Sequence, residues 1–146
     1  MKRKYVPDLK SLQALGEGNY VRLLRLLPDL DQCDRREFQL VHEGHRARVC
    51  LEVEERFAYT TTVVVSHRYD NASVWLEAPR LVVRLYHDAR VAEVIGMRRR
   101  QLSGVYPYPN RKMHQPDEKN QLNTYLHEWI SHCLRHGQLL EEVFAE

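Results

Sequence analysis

The segment at residues 45–66, HRARVCLEVEERFAYTTTVVVS, decides the fold class that the sequence predicts. Its first ten residues alternate between apolar and charged side chains, with Ala47, Val49, Leu51 and Val53 on one side and Arg46, Arg48, Glu52 and Glu54 on the other. A period of two is typical of a strand with one buried and one solvated face. Residues 57–66 are rich in β-branched and aromatic side chains and, after the short Glu55-Arg56 link, are predicted as the antiparallel partner. The apolar face of this hairpin needs a covering element.

Further strands are predicted on both sides of this hairpin. Before it, Phe38 and Leu40 alternate with polar neighbours from Arg35 onward, and Glu43-Gly44 supplies a turn. After it, a second hairpin is predicted at residues 81–86 and 91–95, and a weaker segment at 73–78 is an edge strand or a loop. The pattern at 97–105 is ambiguous and is compatible with a further strand that leads back along the sheet. The sequence therefore predicts an antiparallel meander of five or six strands.

Helices are predicted at both ends of the chain. Leu9, Leu12 and Leu15 begin a short helix that Gly16 and Gly18 are expected to interrupt. A second helix then begins at the capping residue Asn19 and ends before Pro28, with an apolar stripe of Tyr20, Leu23, Leu24 and Leu27. Near the other end, a long helix is predicted over residues 117–136, with one apolar face formed by Leu122, Leu126, Trp129, Ile130 and Cys133. About twenty residues span roughly 30 Å, enough to cover one face of a small sheet.

These elements predict a single α+β domain over residues 1–146, with N-terminal helices and a long C-terminal helix packed over the meander. The formal charge of +2 does not favour strong nucleic-acid binding. Three widely spaced cysteines match neither a disulfide framework nor a zinc knuckle. Because no apolar run follows the basic N-terminus and none approaches about 20 residues, we expect a cytoplasmic protein without membrane insertion.

No common enzyme motif occurs in the chain. The patterns GxGxxG, GxxxxGK[ST], GxSxG and DxDxDG are all absent. His127-Glu128 resembles the start of HExxH, but the next histidine is His132, five residues on. At about 100° per residue the two rings point roughly 140° apart, so they cannot share a zinc ion. His132 and His136 have a suitable spacing, but no third ligand is predictable, and we expect neither a metal nor a cofactor.

The chemistry-bearing residues gather in two segments, a predicted hairpin tip and the loop that enters the long helix. We hypothesise that these segments meet in space and form a ligand site made of Tyr86, His87, Asp88, Tyr108, Asn110, Arg111, Lys112 and His114. Arg111 and Lys112 near a helix N-terminus suit an anion, although Asp117 and Glu118 in the first turn can neutralise that field.

Two alternatives remain for the same residues. His87 or His114 can serve as a general base, with Asp88 orienting one of them, but a hydrogen-bonded structural histidine is the commoner explanation. Tyr106 and Tyr108, beside Arg111, Lys112 and the basic run at residues 98–100, can stack the bases of a single-stranded nucleic acid. A stiff proline-bearing loop and a solvated basic run explain the same features without such a ligand.

Three blocks of the sequence closely resemble the YqiB-like family. They are VRLYHDARVAEV at residues 83–94, YPNRKMHQPDEKNQLN at 108–123 and WISHCLRHG at 129–137. The blocks occur in family order, and the resemblance spans most of the chain. It implies a bacterial, cytosolic domain of unknown function and brings no catalytic residue or cofactor with it.

The sequence therefore favours a non-enzymatic binding module for a small anionic ligand or a protein segment. The first alternative is a hydrolase or transferase that uses His87 or His114 as its base and Arg111 with Lys112 to stabilise negative charge. The second alternative is single-stranded nucleic-acid binding.

Overall fold

The computed structural model describes residues 9–42, 44–71, 74–98 and 116–144. The elements in chain order are α1 (Leu9–Leu26), β1 (Cys33–His42), β2 (His45–Arg56), β3 (Thr60–Asn71), β4 (Val74–Glu77), β5 (Arg80–Tyr86), β6 (Val91–Arg98), α2 (Pro116–His136) and β7 (Gly137–Phe144). Six strands follow the order β6-β5-β3-β2-β1-β7 with antiparallel neighbours, and β4 pairs with the end of β3. The predicted α+β class with an antiparallel sheet is confirmed.

The alternating segment forms the centre of the sheet. Val49, Leu51 and Val53 of β2 are buried, whereas the charged residues between and after them are exposed. Leu51 pairs with Val65 of β3. Both belong to one apolar cluster with residues of α1 and α2, including Leu23, Leu126 and Ile130. The two helices therefore cover the apolar face of the sheet, and the predicted packing of the long helix is confirmed.

The prediction of two N-terminal helices is wrong, because one helix, α1, runs from Leu9 to Leu26 through both glycines. Gly16 is buried where α1 approaches β6, and a Cβ atom there would lie 2.8 Å from Val91 Cγ1 and 3.3 Å from the Ala92 carbonyl oxygen. This glycine permits a close approach between helix and sheet and does not end the helix.

Asn19, predicted as a helix cap, lies buried in the middle of α1 and joins it to α2. Its Nδ2 donates to the Asn123 carbonyl oxygen at 3.1 Å. The Asn123 side chain in turn accepts from Val94 N on β6 at 3.0 Å and donates to the Lys119 carbonyl oxygen at 2.8 Å. We call these residues, Asn19, Asn123 and Val94, the asparagine clasp. The clasp ties both helices to the sheet.

The prediction of the meander lacked one strand. This strand, β7, follows α2 directly and pairs with β1, so it forms the edge of the sheet opposite β6. Gly137 ends α2 as predicted and is also the first residue of the new strand. The segment at 73–78, for which the sequence left a strand and a loop as alternatives, contains the short strand β4. Of the segment at 97–105, only the first two residues are described, and they are the end of β6.

Neither helix among the described residues has the length and apolar character needed to cross a membrane.

Candidate functional site

The β5–β6 turn places His87 in a hydrogen-bonded network with two hydroxyl groups. Its Nδ1 lies 2.9 Å from Tyr20 Oη on α1, and its Nε2 lies 2.7 Å from Thr61 Oγ1 on β3. Tyr20 and Thr61 are both 3% exposed. A neutral imidazole has one donor and one acceptor nitrogen, so the two contacts use its full hydrogen-bonding capacity. In the described part of the chain, His87 links α1, β3 and the turn.

The other residues of the predicted hairpin-tip site lie around this network. Tyr86 is half-buried at the end of β5, and Asp88 is exposed in the turn. Arg90 ends the turn in a left-handed conformation with φ of 55°, and its guanidinium carbon lies 5.2 Å from the centre of the Tyr20 ring. The turn is therefore held onto α1 by His87 and by Arg90.

The second half of the predicted site consists of Tyr108, Asn110, Arg111, Lys112 and His114, all of which lie outside the described residues. The contact between the two halves stays a prediction. Of the basic run at 98–100, only Arg98 is described, and it forms a two-pronged ion pair with Glu54 at 3.0 and 3.1 Å.

A different site is visible between α2 and the ends of β1, β2 and β3. A cavity of about 460 Å³ opens there, and we call it the aromatic pocket. Its lining is Leu40, His45, Arg46, Ala47, Val49, His67, Tyr69, Asp70, Tyr125, Glu128, Trp129 and His132. These residues come from three strands and one helix, so the pocket exists only in the folded chain.

Four aromatic rings form one wall of the pocket. The rings of Tyr125 and Trp129 lie 4.7 Å apart between centres, Trp129 and His67 also 4.7 Å, and His67 and Tyr69 5.8 Å. Their planes meet at 61°, 60° and 44° in the same order. Neighbouring rings along the wall are therefore inclined to one another and are not stacked flat. Trp129 is buried, while Tyr69 and Tyr125 are 42% and 43% exposed at the mouth.

His67 supplies the unsatisfied polar atom of the pocket. Its Nδ1 is buried and has no hydrogen-bond partner among the described residues. Burial, with a smaller contribution from nearby His132, lowers the pKa of His67 below its ordinary value, so the ring is neutral at pH 7. An unpaired buried nitrogen costs free energy that a bound polar group can recover.

The charged residues of the pocket balance only in part. Arg46 donates to Asp70 at 2.9 Å, and this pair carries no net charge. Glu128 lies on the exposed side of α2 and forms no salt bridge within the part of the chain that the structure describes. Because Arg46 and Asp70 cancel, the carboxylate of Glu128 is the remaining acidic group of the lining.

The aromatic pocket was missed by sequence reasoning, although two signals for it exist. The period of two that places Val63 and Val65 on the covered face continues to His67 and Tyr69, beyond the predicted end of the strand at residue 66. Tyr125 precedes Trp129 by one helical turn, which places their rings on the same side of α2. Both signals identify the wall residues, but neither one indicates that they enclose a cavity.

The described histidines do not form a metal centre. The rings of His132 and His136 lie 6.1 Å apart, and no group of three or more histidine, cysteine, aspartate or glutamate residues that could hold a metal ion occurs within the described ranges. Cys133 is buried against the core, and its burial raises its pKa to about 12, which leaves it an unreactive thiol.

The family model described as "Protein of unknown function (DUF1249)" matches residues 22–139 of this chain. Two relatives, each named "Uncharacterized protein YqiB" and found in Escherichia coli strain K12 and in Escherichia coli O157:H7, are 37% identical over 144 residues. These alignments cover 97% of this chain and 99% of each relative. No solved structure matches the chain. The resemblance to YqiB-like proteins is confirmed, and the chain belongs to the DUF1249 family, whose function is unknown.

Proposed function

We propose that this protein is a non-enzymatic binding module that holds a small molecule in the aromatic pocket. The observation that carries the proposal is a cavity of about 460 Å³ whose wall combines four aromatic rings with His67 Nδ1, an atom that has no hydrogen-bond partner among the described residues. Ligand sites typically have volumes of about 300–1,000 Å³ and combine apolar walls with a few polar groups that fix orientation.

The chemistry of the pocket favours binding over catalysis. Its polar side chains are the three histidines, the paired Arg46 and Asp70, the exposed Glu128 and the two tyrosine hydroxyl groups, and the histidines are His45, His67 and His132. A ligand can cover the rings with an apolar body and place one hydrogen-bonding group against His67 Nδ1. No serine, threonine or cysteine nucleophile lines the cavity in the described part of the chain.

The enzymatic alternative has less support from the described residues. A general base at His87 needs a free nitrogen near a substrate, whereas both of its ring nitrogens contact the buried hydroxyl groups of Tyr20 and Thr61. The roles predicted for His114, Arg111 and Lys112, including binding of a small anion, stay predictions because those residues lie outside the described ranges. The nucleic-acid alternative depends on the same loop.

A probe set that differs in charge tests the proposal. Thermal unfolding of the full chain is measured with indole, choline or benzoate, which are neutral, cationic and anionic, respectively. At 100 times its Kd, a bound probe adds about 2.7 kcal/mol to the free energy of unfolding, which is a readily measured rise in Tm. We expect at least one probe to stabilise the protein.

Substitutions at the pocket mouth locate the binding. The exposed Tyr69 and Tyr125 are changed to alanine together, and the change is expected to abolish the Tm rise. Tyr59→Ala is the matched control, because Tyr59 is 66% exposed on the β2–β3 turn and does not line the pocket. If no probe raises Tm, or if the double variant responds as the wild type does, the proposal is wrong.

A further inference from the structure

We propose that the aromatic pocket takes a compact organic cation, namely a quaternary ammonium group carried by a small molecule. This inference rests on the proposed binding function and adds the chemical class of the ligand. It follows from the arrangement of the rings, the charge of the lining and the scarcity of hydrogen-bond acceptors on the inner, apolar part of the lining.

The ring arrangement suits a cation better than a flat neutral ligand. A cation is attracted to the face of tryptophan or tyrosine when it lies within about 6 Å of the ring centre. Tyr125, Trp129 and His67 are consecutive neighbours with centres 4.7 Å apart and planes inclined by about 60°. Because these rings are close together and inclined to one another, one compact group can contact more than one of them, whereas a flat ligand stacks on one.

The charge of the lining has the complementary sign. The ion pair between Arg46 and Asp70 cancels, His67 is neutral, and the carboxylate of Glu128 remains at the mouth. A cation bound against the rings therefore meets a carboxylate that forms no salt bridge within the described ranges. An anion meets that charge as a repulsion, so the anionic ligand expected from the sequence does not suit this pocket.

The neighbouring depression on α2 has the opposite character. Arg22 and Arg135 line it together with His127, and it shares only Glu128 and His132 with the aromatic pocket. Arg22 and Arg135 line this depression and do not line the aromatic pocket. Of these two cavities, the aromatic pocket is therefore the one whose charge favours a cation.

The scarcity of acceptors distinguishes a quaternary ammonium from a primary one. A primary ammonium carries three N–H donors, each of which needs an acceptor when it is buried. The inner lining is apolar at Leu40, Ala47 and Val49, and His67 Nδ1 is its buried unpaired nitrogen. A trimethylammonium group needs no acceptor, and the single nitrogen remains for a hydroxyl group elsewhere on the ligand.

A pair of isosteric probes tests the charge directly. Choline and 3,3-dimethyl-1-butanol have the same shape and the same hydroxyl group, and differ by a nitrogen cation in place of a carbon. Isothermal titration of the full chain is expected to give choline a Kd at least about tenfold lower than that of the neutral isostere, as cation–π attraction to two or more rings implies.

Two variants assign the preference to the pocket. Tyr125→Leu keeps apolar area but removes a ring, and Glu128→Gln removes the carboxylate; both sites are exposed, so the fold is expected to persist. Each change is expected to weaken choline binding at least about threefold and to leave the isostere unchanged within about twofold. Glu55→Gln, an exposed position on β2 outside the pocket lining, is the control and should leave choline binding unchanged.

The outcomes separate this inference from the proposed function. Equal affinity for choline and its isostere, or stabilisation by indole with no binding of choline, overturns the cation inference and leaves a small-molecule pocket. Choline binding that Tyr125→Leu and Glu128→Gln leave unaltered also overturns it, because the cation then binds elsewhere. If none of indole, benzoate, choline or the isostere binds, both the inference and the proposed function are wrong.

Discussion

Gly16 is the residue that sets the distance between α1 and the sheet. A Cβ atom at this position would lie 2.8 Å from Val91 Cγ1 and 3.3 Å from the Ala92 carbonyl oxygen. We expect Gly16→Ala to lower the free energy of unfolding by about 1–2 kcal/mol, because overpacking outweighs the gain of about 1 kcal/mol in helix propensity. Urea denaturation of the two proteins measures the difference.

Gly18 provides the matched control on the same helix. A Cβ atom there would meet only the guanidinium end of Arg22, a flexible side chain that can move aside. Gly18→Ala is therefore expected to raise the free energy of unfolding by up to about 1 kcal/mol. If both changes stabilise the protein equally, Gly16 does not determine the helix–sheet distance.

The protonation of His67 in the pocket makes the free energy of unfolding depend on pH. Burial and the nearby His132 lower its pKa in the folded protein below the ordinary 6.5, while the unfolded chain titrates at about 6.5. The unfolded state therefore binds more protons between these two pKa values, and the free energy of unfolding falls as pH drops through that range. The stabilising effect of the neutral ring is fully present above the unfolded-state pKa.

The corresponding variant is His67→Phe, which keeps a ring beside Trp129 but cannot titrate. Between about pH 7.5 and about pH 5.5, we expect a smaller loss of unfolding free energy in this variant than in the wild type. Urea denaturation at both pH values measures the loss, with Tyr69→Phe as a pocket variant that retains the histidine. An equal loss in His67→Phe and the wild type would show that His67 titrates alike in the folded and unfolded states.

The asparagine clasp is the contact that joins three elements at one buried point. Asn123→Ala removes two side-chain hydrogen bonds, to Val94 N and to the Lys119 carbonyl oxygen, which together contribute about 1–3 kcal/mol. We expect a loss of that size in urea denaturation. Thr124→Ala, at the adjacent exposed position of α2, should change the free energy by less than about 0.5 kcal/mol. Comparable losses in both variants would contradict a specific role for the clasp.

At the scale of elements, the strength of the local pattern determined what the sequence could predict. The strict alternation of β2 and the apolar face of α2 each identify an element and its buried side, and both predictions are confirmed. The glycines in α1 were misread because a glycine permits both a helix end and a close approach, and only the partner strand distinguishes them.

The turns and edges of the sheet were less predictable for a related reason. The β2–β3 turn lies at residues 57–59, where Phe57 N donates to the Thr60 carbonyl oxygen at 2.8 Å, and not at the Glu55-Arg56 link. The sequence of β7 carries no strict alternation, and its pairing with β1 depends on where α2 ends. Neither feature is specified by a local pattern of apolar residues.

At the scale of the whole molecule, the pocket depends on contacts between distant parts of the chain. His67 and Trp129 are 62 positions apart in sequence, and their rings meet because α2 lies over β2 and β3. Composition and spacing could identify both residues as members of the covered face. The shape of the cavity, the orphaned His67 Nδ1 and the balance of charge at the mouth arise only from the packing of helix on sheet.

The central claim is that the aromatic pocket is a binding site, and the indole N–H signal of Trp129 reports on it directly. The chain has two tryptophans, so comparison with Trp75→Phe assigns the two indole peaks in a ¹H–¹⁵N correlation spectrum. Titration with choline is predicted to shift the Trp129 peak in a saturable way, and the double change of Tyr69 and Tyr125 to alanine is predicted to abolish the shift. A Trp129 peak that stays in place with choline, indole and benzoate alike would contradict the claim.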